Sequence, residues 1–133
     1  MLKVFGYTAF CLALVLSVGR AFAHGEDKPG PHGGAIKMPS SFHTELVLVN
    51  KHQVKIYLLD EGWLNPSIKQ SHVAVRLQSG AVAKCDIQGE HYLCTFSDSV
   101  DLRNKNSLLI QSKRENRKGV EISYDLPLLK NAR

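Results

Sequence analysis

The sequence is poor in sulfur-containing side chains, with three cysteines and two methionines among 133 residues. Cys85 and Cys94 lie too far apart for the close cysteine pair that is typical of structural zinc sites. Met38 is the one methionine after the first 23 residues, which argues against a methionine-rich copper(I) carrier. If the chain holds a metal ion, histidine and carboxylate side chains are therefore the ligands to consider.

Motifs of the common enzyme classes are also missing. There is no Gly-x-Ser-x-Gly elbow and no phosphate-binding glycine loop between a strand and a helix. Ser40, Ser41 and His43 do not supply a nucleophile together with a base and an orienting acid. A terminal histidine that chelates copper is typical of oxidative polysaccharide-cleaving enzymes, but those have longer chains and a flat aromatic surface. The sequence predicts that the protein is not an enzyme.

The charge does not indicate a nucleic-acid partner, because the formal net charge is only +5. Without the first 23 residues, which include Lys3 and Arg20, it falls to about +3, an ordinary solubility feature. The basic cluster of Lys113-Arg114 and Arg117-Lys118 is interpreted as a solvated turn, with binding to anionic lipid or polysaccharide as the alternative.

Residues 1–23 have the pattern of a secretion signal. Lys3 precedes an apolar run from Val4 to Val18, and Ala21-Phe22-Ala23 has small residues at the two positions that a signal peptidase recognises. An apolar core of about 15 residues is shorter than the roughly 20 needed to cross a bilayer, although Arg20 keeps an uncleaved anchor as the alternative. We expect cleavage after Ala23, a periplasmic or otherwise secreted protein, and no stable membrane insertion of the mature chain.

Export also decides how the cysteines are interpreted. Cys11 lies in the signal, so Cys85 and Cys94 remain as one pair in an oxidising compartment. A disulfide between them is predicted, with a thiolate metal site as the rival interpretation. Gly89-Glu90 offers a two-residue loop with glycine first, as a type II′ hairpin turn prefers. Counting outward from that loop places Cys85 opposite Cys94 in a non-hydrogen-bonded pair, where side chains approach closely.

Beyond the signal, the sequence divides into an arm and one domain. Residues 24–34 are rich in glycine and proline and are predicted to be a flexible arm, and residues 35–133 a single domain. Short β-branched and aromatic runs separated by turn residues predict an all-β fold, and fit an immunoglobulin-like antiparallel sandwich of seven or eight strands better than a closed barrel. The predicted strands are Ala35 to Met38, Phe42 to Asn50, Val54 to Asp60, His72 to Ser79, Ala81 to Gln88, His91 to Ser97, Ser107 to Lys113 and Val120 to Asp125.

Imidazole and carboxylate groups are concentrated soon after the predicted cleavage site, and such groups suit zinc, copper(II) and nickel. If His24 is the first residue of the mature chain, its free amine and its ring can chelate one ion together. His43 and Glu45 are two apart in a predicted strand, so both project from one face, and His32 can fold back towards them. We predict a metal site formed by His24, His32, His43 and Glu45. The alternative is that they are solvated loop residues and an exposed strand face.

Three motifs resemble a known family. Gly30-Pro31-His32-Gly33-Gly34, Phe42-His43-Thr44-Glu45-Leu46 and Tyr57-Leu58-Leu59-Asp60-Glu61-Gly62 with Pro66 are similar to the N-terminal β-sandwich domain of periplasmic adaptor subunits of heavy-metal efflux pumps. Small exported proteins that share the first motif are similar too. The resemblance implies an immunoglobulin-like fold and a role with copper, zinc or related cations. The cysteine pair departs from that pattern, and the helical hairpin and lipoyl-like parts of the adaptor are missing.

These expectations combine into one predicted function. The protein is expected to bind a divalent transition metal ion, copper or zinc, in the periplasm, as a buffer or as a donor to a component of a metal-efflux pump. The rival is a non-catalytic module that recognises another envelope protein or has a structural role, in which the histidines are incidental. No nucleic-acid partner is expected.

Overall fold

The computed structural model describes residues 28–128, so that His24 and the predicted signal segment lie outside the described part of the chain. Residues 28–128 form two antiparallel sheets packed as a sandwich, which confirms the all-β prediction, with nine strands rather than seven or eight. The described residues include no helix of the length and apolarity that a membrane span requires. The strands are β1 (Ala35–Lys37), β2 (His43–Asn50), β3 (Gln53–Leu59), β4 (His72–Leu77), β5 (Lys84–Gln88), β6 (His91–Thr95), β7 (Asn106–Arg114), β8 (Arg117–Lys118) and β9 (Ile122–Leu126).

The first sheet has the strand order β1-β2-β3-β6-β5, and the second sheet consists of β4, β7, β8 and β9. Strand β4 shows why the sheets pack together: Val73, Val75 and Leu77 are buried, and the residues that alternate with them are exposed. Successive side chains of a strand point to opposite faces, so each sheet turns an apolar face inward. The core between the sheets includes Phe42, Leu46, Val54, Ile56, Leu58, Tyr92, Cys94, Leu108, Ile110 and Tyr124.

One predicted strand, Ala81 to Gln88, is divided between the two sheets. The sequence predicts a single strand from Ala81 to Gln88, whereas β5 begins only at Lys84. The amide of Ala83 donates to the carbonyl of Val75 in β4, so this part of the segment belongs beside the second sheet. The chain then crosses to the first sheet, and a uniform β-pattern in the sequence gives no sign of that change of partner.

The basic cluster is a hairpin and not only a solvated turn. Lys113 to Lys118 includes the end of β7, all of β8 and a two-residue connection between them. Glu115 and Asn116 both have positive φ, 47° and 66°, as a type I′ hairpin turn requires. The last strand begins later than predicted, because the amide of Val120 donates to the carbonyl of Pro39.

The cysteine hairpin agrees with the prediction in detail. Strands β5 and β6 pair with Cys85 opposite Cys94, and the two residues form a disulfide. Gly89 has a φ of 65° and Glu90 has no positive φ, as expected for a type II′ turn. A stable disulfide indicates an environment outside the reducing cytoplasm.

Candidate functional site

A turn formed by residues 30–34 covers the outer face of the first sheet, where β1 and β2 pair. Gly30 donates its amide to the carbonyl of Gly34 at 2.8 Å, and both glycines are buried. A Cβ atom at Gly30 would lie 2.4 Å from the carboxyl carbon of Glu45, and one at Gly34 would lie 2.5 Å from the carbonyl oxygen of Leu46. The turn can therefore approach the sheet this closely only with glycine at both positions.

Glu45 is fully buried beneath this turn. It lies between Thr44 and the core residue Leu46 on β2, so its side chain points to the outer face of the sheet. One carboxylate oxygen, Oε1, accepts hydrogen bonds from the amides of His32 at 2.7 Å and Gly34 at 3.0 Å. The other, Oε2, contacts Nδ1 of His32 at 2.7 Å. Burying a carboxylate is costly without such donors, so Glu45 and the turn stabilise each other.

The ring of His32 is fixed at its edge and on its face. Because a carboxylate oxygen only accepts, Nδ1 carries a proton in the contact with Glu45, so the lone pair of the neutral imidazole is on Nε2. The ring also stacks on that of Tyr57, with centroids 3.7 Å apart and an interplanar angle of 5°. The side chain of His32 remains 36% exposed. The result is a surface imidazole with one tautomer and one orientation.

Tyr57 continues the stack to a second imidazole. The ring of His91 is tilted against that of Tyr57, with centroids 4.8 Å apart. Burial, followed by the nearby charges of Lys55 and His32, lowers the pKa of His91. Burial and the negative charge of Glu45 raise the pKa of Tyr57. His32, Tyr57 and His91 thus form an aromatic row on the outer face of the first sheet.

His43 lies two residues before Glu45 on β2, and the alternation of the strand places both on the outer face, as expected. Its Nδ1 donates to the main-chain carbonyl of Asp60 at 3.1 Å. The ring of Trp63 meets it edge-on, with centroids 5.9 Å apart. Only 6% of His43 is exposed, so its ring is packed against the loop that follows β3.

Asp60 shapes that loop. Its carboxylate accepts hydrogen bonds from two main-chain amides, including that of Leu64 at 2.9 Å, and from the side-chain amide of Asn65 at 2.8 Å. The bond from Leu64 and then that from Asn65 hold the pKa of Asp60 below its ordinary value. Trp63 has a φ of 63°, in the left-handed region that a bulky residue rarely adopts. The loop thereby holds Trp63 beside His43.

The structure brings two of the four predicted ligands into direct contact, namely His32 and Glu45. Both oxygens of Glu45 accept hydrogen bonds from the turn, so it orients His32 and is not placed as a free ligand. His43 is turned to the loop after β3, and His24 lies outside the described residues. Within residues 28–128, no group of three or more histidine, cysteine, aspartate or glutamate side chains is arranged to hold a metal ion. The described end of the predicted flexible arm is folded as the turn of residues 30–34.

Sequence reasoning missed Tyr57 and His91 as members of this site. Tyr57 is directly opposite Glu45 in the β2–β3 ladder, but counting outward from the turn at Lys51 and His52 would pair it with Leu46, because a β-bulge between Leu48 and Asn50 shifts the register by one residue. His91 is the first residue of β6, directly after the β5–β6 turn. Its place next to Tyr57 depends on the pairing of β3 with β6, which are distant in sequence.

Comparisons with family models, curated proteins and solved structures give no match for this chain. The resemblance to efflux adaptor domains therefore stays a prediction from three sequence motifs.

Proposed function

We propose that the protein binds a divalent transition metal ion, copper or zinc, through Nε2 of His32. The contact that supports this proposal most directly is the 2.7 Å approach of Nδ1 of His32 to Oε2 of the buried Glu45. Metal-binding histidines almost always donate their second ring nitrogen to a carboxylate, a carbonyl or water, which fixes the tautomer and raises the basicity of the ligand. His32 has this arrangement and is accessible at the surface.

A single imidazole holds a metal ion weakly, so further donors are part of the proposal. His24 would provide its ring and, after cleavage, the free amine of the chain, and these two groups can chelate one ion together. Eight peptide units separate it from His32, and a chain of that length reaches at most about 28 Å, which is ample for a return to the same face. The ion would be held outside the cytoplasm, either as a store or for transfer to a metal-efflux system.

Glu45 has a different role in this proposal from the one expected of it as a ligand. Replacing Glu45 by glutamine places an amide group against Nδ1 of His32, and the NH₂ of that amide would donate to Nδ1. The ring proton would then move to Nε2, and the lone pair offered to the metal ion would be lost. Glu45→Gln should therefore weaken metal binding about 10- to 100-fold although no ligand is removed.

Calorimetric titration of Cu(II) and Zn(II) into the processed protein tests the proposal. His32→Ala is expected to remove most of the affinity, and one additional residue before His24 should weaken binding by displacing the terminal amine. His72→Ala is the matched control, because His72 is an exposed histidine on the second sheet. Unchanged affinity in His32→Ala would overturn the proposal and favour an envelope interaction module with incidental histidines.

The binding should also depend on pH. Imidazole and amine ligands must lose their protons before they coordinate a metal ion, so the affinity is expected to fall as the pH is lowered through the histidine range. Titrations at several pH values, with the His32→Ala variant beside the unmodified protein, measure this dependence.

A further inference from the structure

The outer face of the second sheet carries a feature that is independent of the histidine site. At the tip of the β7–β8 hairpin, Lys113 lies directly opposite Lys118, and Arg114 lies opposite Arg117. Like charges directly opposite each other in an antiparallel pair are destabilising. Two such pairs in succession would destabilise the hairpin unless other groups neutralise or hydrogen-bond their charges.

The arginine pair finds its partners within the protein. Arg114 forms an ion pair with Glu115 at 3.2 Å and donates to two main-chain carbonyls, including that of Asn65 at 2.7 Å. Arg117 donates to the hydroxyl of Ser41. The charges on this side of the hairpin are thus neutralised or hydrogen-bonded.

The lysine pair lies on the other side. Ser112 is buried, so the alternation of β7 places Lys113 on the outer face, and Lys118 pairs with it there. On β4, His72 lies opposite Lys113. His72, Lys113 and Lys118 form a row across three strands, called the cationic row below for its two lysines, with a length of about 10 Å.

Neighbouring acidic side chains do not neutralise this row. Glu115 is engaged by Arg114, and Glu121 forms an ion pair with Arg76 at 3.1 Å. Within residues 28–128, no carboxylate oxygen lies within 4.0 Å of the ammonium group of Lys113 or Lys118. The cationic row is therefore open to an anionic partner from outside the chain.

Val120 indicates which anionic partner fits. It follows Lys118 by two residues and is 66% exposed. A soluble polyanion has no apolar phase in which to place an aliphatic side chain, whereas the boundary between the headgroups and acyl chains of a bilayer has one. The combination of the cationic row and the exposed valine therefore favours a lipid surface over a polysaccharide.

We propose that this face docks the protein on an anionic membrane surface, with Lys113 and Lys118 against the headgroup phosphates and Val120 at the headgroup boundary. The net charge, about +3 without residues 1–23, adds a long-range attraction to the same surface. No residue of the His32 site takes part, so the two proposals can fail separately.

Co-sedimentation with vesicles tests the docking surface, using phosphatidylglycerol in phosphatidylcholine and phosphatidylcholine alone. The double variant Lys113→Gln/Lys118→Gln is expected to lose binding to the anionic vesicles by on the order of 25-fold, about fivefold for each lysine. Lys84→Gln/Lys105→Gln is the matched control, because it changes the net charge equally at two exposed lysines elsewhere. Val120→Ser should weaken vesicle binding and leave retention on dextran sulfate unchanged.

Thermal unfolding separates lost docking from lost structure. Removing two facing like charges should leave the melting temperature unchanged or raise it slightly, so a loss of binding in a folded variant supports the proposal. An equal loss in the matched control, or binding of the unmodified protein to dextran sulfate but not to anionic vesicles, would overturn it.

Discussion

The two edges of the first sheet are stabilised in different ways. At the β1 edge, Ile36 is only 1% exposed, and the turn of residues 30–34 packs against it and Glu45. At the β5 edge, Ile87 is 60% exposed, and the disulfide between Cys85 and Cys94 joins β5 to its neighbour. An edge strand can thus be held by a segment folded over it, with a buried hydrogen-bond network, or by a covalent link that leaves it exposed.

The difference also affects where chemistry can occur. A segment that covers an edge buries polar groups, and these groups must be hydrogen-bonded to one another. At the β1 edge they include the carboxylate of Glu45 and the imidazole of His32, and the carboxylate can also orient the imidazole as a metal ligand. A disulfide fulfils the same mechanical role without placing polar groups in a buried position. The candidate metal site therefore lies at the covered β1 edge. The disulfide at the β5 edge does not require buried polar groups of this kind.

The largest expected effect comes from truncating the same residue type at both edges. Ile36→Ala should lower the free energy of unfolding by about 3 kcal/mol, because a buried isoleucine leaves a cavity. Ile87→Ala should change it by less than about 0.5 kcal/mol, since most of that side chain is in solvent. Denaturant unfolding of both variants measures the difference, and equal losses would contradict the contrast between the edges.

A second comparison adds a methyl group to the turn. Gly30→Ala places a Cβ atom 2.4 Å from the Glu45 carboxylate and 2.6 Å from Cδ1 of Ile36, and should cost about 2 to 3 kcal/mol. Gly33→Ala meets nothing within 4 Å, but its φ of 78° should still cost about 1 kcal/mol. Thermal melts of the two variants rank these costs. A smaller loss in Gly30→Ala than in Gly33→Ala would show that the turn is not packed as described.

Removing the covalent link tests the β5 edge. Replacing Cys85 and Cys94 together by alanine should lower the free energy of unfolding by about 2 kcal/mol, because the bridge closes a short loop whose hairpin retains some order in the unfolded chain. The unmodified protein should melt at a lower temperature in reductant, and the double variant should not respond to reductant. A response of the double variant would mean that the reductant acts elsewhere.

The smallest expected effect concerns the interior beneath β2. The hydroxyl of Tyr124 lies 2.7 Å from that of Thr44, so Tyr124→Phe should cost about 1 kcal/mol at neutral pH. Burial raises the pKa of Tyr124 above its ordinary value of 10.0, so the folded state favours the protonated phenol. Stability from this source is complete below about pH 10 and is lost as the pH rises further, when tyrosine in the unfolded chain ionises. Melting temperatures measured from neutral to alkaline pH should fall less steeply in Tyr124→Phe.

The parts of the fold that could be predicted are those determined over short distances in the sequence. The β5–β6 hairpin and its disulfide followed from a glycine-first turn and a count of residues. Strand β8 was missed because Arg117 and Lys118 are both charged and exposed, which is typical of a turn. The start of β5 was placed too early because Ala81 to Ala83 keep a strand-like composition while pairing with the other sheet.

The candidate site was only partly predictable, because some of its contacts join residues that are distant in sequence. Sequence reasoning grouped His32 with Glu45, because a glycine-rich turn before a strand permits a close approach. It expected Glu45 to be a ligand, since the sequence does not show that two main-chain amides and a ring nitrogen would engage its carboxylate. The position of Tyr57 under His32 depends on the register of β2 against β3, and that of His91 on a pairing between distant strands.

The turn of residues 30–34 also has a practical consequence for handling the protein. Gly30 packs against Glu45 and lies two residues before His32, so whatever precedes Gly30 is attached close to the proposed ligand. An affinity tag, a fluorophore or a resin linkage at the amino terminus would consequently be tethered beside the proposed ligand and would compete with it for space and for metal ions. Attachment through an engineered cysteine at an exposed position of the second sheet keeps that surface clear.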